Sequence, residues 1–523
     1  GDRTQTPAAF RSDLLASAAP PPRPRRFGRG MLVGALLVGL LGVTSYLFWP
    51  SDRRTLLAVV VEGMTAEASD PVLTRQLADG VSRQLAALQS ITVFDTMAPP
   101  VGTVVRIVAS GPADHVVVTA KVIDQATDQL LATQSWHPGS ITPETQDAIA
   151  FQVSAFVRRR VGEAMELREA VGSLRGQEAR EAVLEAESHY QKGREAYADG
   201  DIERARFEFE AADSRLGDAC RLAPSRALPW IRRGWVSYNL SFFDLADSVL
   251  VAARLERGIA FADSALTREP GSAGALALRG SLAEHMAFML PGHSDSLVTR
   301  AELDLRAALA ADNTLSEANV HLSRLYRRTG RMAEAATAAL AAQSFDDFLL
   351  NGLGVAGQLL ALFRELGVPS QARRVCEDGR LLYDAPNFAE CRLVYFGYFG
   401  GTRSEVDSAW QELSAIERPG GGAEPATVGF RRVMVAAVLA RAGLRDSALA
   451  VVGRAKRTGA PRMDLYQAYV LTILGDTDGA IRLLAPLVAQ DSSYRTFLRT
   501  SYWFLGLNEQ PAFRQLAGLE PLP

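Results

Sequence analysis

From about Leu167 to the C-terminus the chain shows no strand pattern, and small residues and aromatics recur at helical spacing. Tyr190, Gly193, Tyr197, Gly200, Ala205, Phe209 and Ala212 mark a first pair of helices. Trp230, Gly234, Ala262, Ala265 and Pro270 mark a second. Leu278, Gly280, Ala301, Leu305 and Ala308 mark a third, interrupted around Pro291-Gly292-His293. Tyr326, Gly330, Ala335, Ala339 and Ala342 follow, then Phe363, Gly367, Ala372 and Cys376. Residues 388–415, with Gly401 and Trp410, read as a degenerate pair; Gly443, Ala448, Val452 and Ala455 mark the next, and Gly475, Ala480, Leu484 and Leu487 the last. Glycine or alanine lets two helices approach closely and an aromatic knob fills the remaining gap. One pair alone cannot bury its apolar face, so pairs must stack. Residues 167–523 are therefore constrained to a stacked helical array.

The preceding segment, 54–166, alternates between strand and helix signals. Leu56–Val61 is a short apolar run suited to a buried strand. Asp70–Leu88 carries Leu73, Leu77, Val81, Leu85 and Leu88 on one helical face, with Asp70-Pro71 as N-cap and first helical residue. Ile91–Phe94, Val104–Val108, Val116–Ile123 and Leu130–Trp136 predict four more strands, separated by turn-rich segments at Gly111–Asp114 and Asp124–Asp128. A helix over Pro143–Val161 is predicted to end at Arg158-Arg159-Arg160, read as a solvated helix end favoured by the dipole.

Upstream, Met31–Trp49 is free of charge over about 19 residues, enough at 1.5 Å per residue to cross a bilayer core of roughly 30 Å. The sequence thus predicts a membrane anchor bounded by Met31 and Trp49, with lipid bilayer as one partner. Arg23, Arg25, Arg26 and Arg29 precede it, against Arg53 and Arg54 beside Asp52 after it. That excess predicts a single-pass inner-membrane protein with a cytoplasmic N-terminus and an extracytoplasmic body. Residues 17–30 (SAAPPPRPRRFGRG) form a Pro/Arg linker, and 1–16 a short stub.

The formal net charge of −3 gives no general affinity for nucleic acid, and no basic stripe interleaved with aromatics is present. Cys220, Cys376 and Cys391 are too few for a disulfide framework; a Cys376–Cys391 bridge is an option outside the cytoplasm, but buried free thiols are the expectation. His115, His137, His189, His285, His293 and His321 lack metal-ligand spacing, and His189 falls at a packing position of the array. Gly352-Leu353-Gly354-Val355-Ala356-Gly357 matches the dinucleotide fingerprint by letter, but without a preceding strand it reads as helix packing. Gly420-Gly421-Gly422 reads as a loop or hinge. With no phosphate loop, nucleophile elbow or kinase motif, the chain is expected to catalyse nothing and to hold no cofactor or metal.

Three resemblances follow from these residues. The array resembles tetratricopeptide repeats, which implies binding of a protein or peptide on a concave face. Residues 55–165 resemble the α/β domain related to the N-terminal domain of TolB, through Ala78–Leu85 (ADGVSRQL) and Val117–Asp128 (VVTAKVIDQATD). The chain departs from that family after its first strand, where Val61-Glu62-Gly63-Met64 replaces the usual Pro-Phe pair, and by a short segment after the second strand. Asp2–Leu14 (DRTQTPAAFRSDL) resembles the last helix of bacterial serine/threonine kinase domains, with Thr4 where a proline is usual. Together with the order of the segments and the absent initiator Met, this implies the regulatory half of a receptor-type kinase. Its catalytic domain would precede this chain, and a second copy would be a further partner. A non-signalling subunit or assembly factor of a membrane complex is the other reading. The expected fold class is thus mainly α: an N-terminal transmembrane helix, a small α/β domain, then a tetratricopeptide-type α-solenoid.

Overall fold

A computed structural model describes residues 57–64, 68–88, 90–94, 102–198, 201–244, 247–289, 295–383, 386–417, 425–457, 462–491 and 494–520. They divide into two compact units, one ending at Ser154 and the other running from Ala155 onward.

The first unit is a five-stranded sheet in the order β2-β1-β3-β4-β5. Its strands are β1 (Leu57–Gly63), β2 (Ile91–Phe94), β3 (Thr103–Ser110), β4 (Val116–Asp124) and β5 (Gln129–Gly139). β1 pairs in parallel with β2 and β3, whereas β3–β4 and β4–β5 are antiparallel. Parallel pairing requires a crossover, and α1 (Pro71–Ala86) supplies it between β1 and β2. Asp70 starts that helix as predicted: its side chain accepts the N–H groups of Val72 and Leu73 at 3.1 and 2.9 Å. The helix buries Leu77, Val81 and Leu85 completely, and the sheet contributes Val59, Val105, Ile107, Val118 and Val122 to the core. Asp124 closes the β4–β5 turn by accepting from the N–H groups of Ala126 and Thr127, an Asx arrangement that the sequence Asp-Gln-Ala-Thr permits.

The helix predicted over Pro143–Val161 runs on as α2 to Gly172, with residues through Ser154 in the first unit and the remainder in the second. Arg158-Arg159-Arg160 is therefore not a solvated helix end. Arg158 Nε donates to the Asp347 carbonyl at 2.5 Å, and Arg160 pairs with Glu163 at 3.0 Å.

The second unit is a succession of helical hairpins. α3 (Gln177–Ala198) packs on α4 (Ile202–Leu222), α5 (Leu228–Ser241) on α6 (Ser248–Arg268), and α7 (Ala273–Met289) on α8 (Asp295–Ala311). α9 (Ser316–Arg328) packs on α10 (Met332–Ser344), and α11 (Gly352–Glu365) on α12 (Pro369–Leu382). After the short α13 (Pro386–Ala389) come α14 (Cys391–Phe399) with α15 (Arg403–Ile416), α16 (Pro425–Arg441) with α17 (Arg445–Lys456), and α18 (Met463–Ile473) with α19 (Thr477–Gln490). α20 (Tyr494–Thr500), a 3-10 turn (Tyr502–Leu507) and α21 (Pro511–Ala517) close the described chain. The first helices of successive hairpins touch one another from α5 to α11 and from α14 to α18, forming continuous layers. Within a hairpin, the small residues have direct partners: a Cβ on Gly280 would lie 2.7 Å from Leu305 Cγ, so only glycine allows α7 this close to α8.

Two expectations are corrected. Among the described residues no helix is long and apolar enough to cross a membrane, so the N-terminal transmembrane helix drops out of the fold class. The longest described helix, α2, is interrupted by charges from Glu144 to Glu169. Arg25, Arg26, Met31 and Trp49, like the stub 1–16 and Gly420–Gly422, lie outside the described residues. What stands is a mainly helical protein with one small five-stranded sheet. Secondly, Cys376 and Cys391 are not free thiols but form a buried disulfide with Cα atoms 5.6 Å apart, joining α12 to the start of α14; Cys220 stays free and buried.

Candidate functional site

Within the second unit, elements far apart in sequence surround one cavity of about 150 Å³. α3 contributes Val183, Glu187, Tyr190 and Arg194, a stripe at spacings of three and four that faces one way on a helix. α5 adds Arg232 and Trp235 by the same spacing rule, and α9 adds Glu317. The α2 extension supplies Glu163, Glu166 and Leu167, and the turn before α11 supplies Leu350 and Asn351.

Local chemistry explains how α2 and that turn meet. Arg158 reaches the carbonyls of Asp347 and Asp346 at 2.5 and 3.4 Å. A Cβ on Gly162 would lie 2.6 Å from the Cβ of Phe348, so the close approach depends on glycine there. The turn itself is held by Asp346, whose carboxyl accepts the Asn351 N–H at 3.2 Å. Leu349 adopts a left-handed φ of 53°, a costly conformation for a branched residue, placed where the turn delivers Leu350 to the cavity. Burial pushes the Asp346 carboxyl up to about 7.

Most charges at the cavity are paired. Arg232 donates to Glu166 at 3.4 Å, Arg160 holds Glu163 at 3.0 Å, and Gln191 donates to Glu187 at 2.8 Å. Burial alone would lower Arg232, but the nearby Glu187 and Glu166 outweigh it and raise its pKa. Asn239 donates to the Tyr190 hydroxyl at 2.9 Å, and burial raises that phenol. Glu317 differs: among the described residues its carboxyl takes part in no hydrogen bond or ion pair. It is partly exposed and lines the cavity. Burial, reinforced by the Glu166 charge and opposed by Arg232, drives its pKa up to about 8.

A second polar group lies deeper in the same layer of first helices. Glu284 on α7 is fully buried, 3.3 Å from His321 Nδ1 and 3.4 Å from the Arg324 guanidinium, both on α9. Arg324 also donates to the Tyr238 hydroxyl on α5 at 3.1 Å, so one network ties three consecutive hairpins. Although burial opposes it, the Arg324 charge and the His321 hydrogen bond hold Glu284 down at about 2. Burial lowers the neighbouring His285 to about 4. Glu284 Oε1 and His285 Nε2 have no hydrogen-bond partner among the described residues.

The residues predicted from the repeat pattern fall mostly at packing contacts. The Tyr190 and Phe209 rings are 5.3 Å apart edge to face, and a Cβ on Gly193 would sit 3.3 Å from the Phe209 ring. Ala205 is fully buried; Tyr197 is half-exposed and lies 5.4 Å from Phe243. Trp230 stacks under Arg268 at 4.4 Å. Gly234 faces Leu278 of the next hairpin. Arg331 covers the Tyr326 ring at 4.1 Å, and the Tyr326 hydroxyl donates to Glu302 at 3.2 Å. Gly330, Gly443 and Gly475 turn between helices with φ of 81°, 77° and 76°, values that favour glycine. His189 is paired with Glu208 at 2.7 Å rather than simply packed. Gly352–Gly357 opens α11, with Gly354 against Val320 of α9, as helix packing requires.

Of those residues, Tyr190 alone lines the cavity. Glu317, Glu166, Arg232 and Trp235 carry no local motif. Glu317, Arg232 and Trp235 share a placement on first helices, and Glu166 sits on the continuation of α2; only that joint placement would have singled them out. Among the described residues no group of three or more His, Cys, Asp or Glu side chains is placed to hold a metal ion. In comparisons with known proteins, no family model matches the chain and no curated protein matches it significantly.

Proposed function

We propose that the second unit is a tetratricopeptide-type array that binds an extended segment of a partner protein along its layer of first helices. The observation that carries this reading is the cavity, where α2, α3, α5 and α9 and the turn before α11 converge on a partly polar, partly aromatic lining. Such a lining, with a few placed polar groups among apolar walls, is what a recognition site requires. The small-residue spacing through Gly193, Gly234 and Gly280 supports the tetratricopeptide assignment. The resemblance of Asp2–Leu14 to the closing helix of kinase domains supports a signalling setting for that binding, as the regulatory half of a serine/threonine kinase.

Selection from a random peptide display library against the full chain tests the reading. Enriched peptides carrying a photo-cross-linker should label α3, α5 or α9, and the Tyr190→Ala/Trp235→Ala double variant should lose them by tenfold or more. Labelling confined to the second helices, α4, α6 and α10, or no enrichment at all, would overturn it. The coding sequence upstream of Gly1 tests the signalling setting: a kinase catalytic loop there is the expected finding, and another domain type removes the link.

A further inference from the structure

The cavity's lining is unbalanced, and the imbalance points to the chemistry of its occupant. Four carboxyls line it, Glu163, Glu166, Glu187 and Glu317, against two guanidiniums, Arg194 and Arg232. Three of the carboxyls are already satisfied, by Arg160, Arg232 and Gln191. Glu317 has no such partner among the described residues and is only partly exposed. A partly buried carboxyl without a partner loses hydration, and a cation with hydrogen-bond donors restores the lost interaction. The walls suit the rest of such a ligand. Tyr190 and Trp235 contribute aromatic rings to the lining, and Leu167, Val183 and Leu350 an aliphatic lining for an alkyl stem. An anion would face four carboxyls against two guanidiniums, of which Arg232 is engaged with Glu166 and Arg194 is exposed, so the charge balance favours a cation. The volume, about 150 Å³, holds several waters and hence one side-chain head group, but not a folded element.

We propose that this cavity is a receptor for one guanidinium or alkylammonium group, the head of an arginine or lysine side chain, with Glu317 as its counter-ion and Tyr190 and Trp235 as its walls. Resting on the peptide-binding reading, the inference names the residue type that anchors the partner segment. The geometry also sets a pH dependence. Glu317 is faced by Glu166 from α2, by Tyr190 from α3 and by Arg232 and Tyr238 from α5; on its own helix lie His321 and Arg324. With its pKa near 8, Glu317 holds a proton at pH 7 and must release it when the cation arrives. Arginine stays charged throughout, so its affinity rises by about tenfold in all between pH 7 and pH 9, as the ionised fraction of Glu317 climbs from about a tenth to about nine-tenths.

The probe is the arginine side chain itself, as Nα-acetyl-arginine methylamide, with the citrulline analogue as its neutral isostere. Both are titrated into the full chain by calorimetry at pH 7 and pH 9, in buffers of different ionisation heat. The expected result is binding of the arginine compound at least tenfold tighter than citrulline and tighter at pH 9, with proton release at pH 7. In Glu317→Gln the arginine preference and the proton release disappear while thermal stability is not lowered; Glu166→Gln gives a smaller loss and shows that the site is intact. Equal binding of the two compounds, equal binding to wild type and Glu317→Gln, or no binding of the arginine compound overturns the inference. The two readings fail separately. Selected peptides that enter the cavity without a basic residue leave peptide binding standing and sink the cation site. Arginine binding without any enriched peptide does the reverse.

Discussion

Glu317→Gln offers the sharpest test of the electrostatics at the cavity, independent of any ligand. In the folded chain the Glu317 carboxyl titrates near 8, against an ordinary value of 4.5. The folded state therefore binds more protons than the unfolded state between those two values, and stability falls as pH rises through that window. At about 1.4 kcal/mol per unit, the ceiling on the loss is about 5 kcal/mol, complete by about pH 9. Because Glu317 keeps some surface toward the cavity, water there screens the charge, and about 2 kcal/mol is the working value. Glutamine cannot ionise. The variant should match wild type within about 1 kcal/mol at pH 5 and exceed it by about 2 kcal/mol at pH 9. The measurement is urea unfolding at both pH values. Asp346, raised to about 7, gives wild type a slope of the same sign. That background is common to both proteins and cancels in the difference. Parallel stability curves for the two proteins from pH 5 to pH 9 would refute the reasoning, since they would mean that Glu317 is solvated like any surface carboxyl.

Other consequences are equally measurable. Gly280→Ala places a methyl 2.7 Å from Leu305 Cγ and 3.1 Å from the Ala301 carbonyl, and should cost about 1–3 kcal/mol; an unchanged unfolding midpoint would contradict that packing. The Cys376–Cys391 disulfide, across a sequence separation of 15, should be worth about 3 kcal/mol, read as the loss in a Cys376→Ala/Cys391→Ala variant. Under denaturing, non-reducing conditions one thiol, Cys220, should alkylate, and three after reduction; three without reductant would exclude the bridge. At acid pH, Glu284 (about 2 against 4.5) and His285 (about 4 against 6.5) act in one direction. Both bind more protons in the unfolded chain, so stability is lost as pH falls from about 7 toward 2. Glu284→Gln should flatten the lower part of that slope and His285→Gln the upper part, followed by thermal unfolding against pH.

The sequence made the elements legible and left the cavity hidden, for a physical reason. Strands and hairpin helices are specified by neighbours. Alternation over Val116–Ile123 placed β4, the Asp70-Pro71 pair placed the start of α1, and Gly330, Gly443 and Gly475 marked turns because left-handed backbone favours glycine. Packing partners follow from the same periodicity, which is why Gly193 against Phe209 and Gly280 against Leu305 could be anticipated as contacts. A cavity wall has no such period. Glu166, Arg232 and Glu317 lie on three helices, and what joins them is the continuation of α2 beyond Val161. Reading Arg158–Arg160 as a helix end concealed that continuation: Arg158 donates to the carbonyls of Asp347 and Asp346 far along the chain, and Arg160 pairs with Glu163 one turn on. The disulfide was hidden likewise, since spacing alone does not say whether two cysteines share a helix interface. The features that escaped were thus the long-range ones, and they coincide with the site. A stacked array gains stability from nearest-neighbour contacts that any repeat supplies. The residues that leave that scheme, Gly162 against Phe348, Leu349 at positive φ and Glu317 without a hydrogen-bond or ion-pair partner among the described residues, add nothing that stacking needs. That departure from the repeat rule is the strongest reason to look for the ligand there.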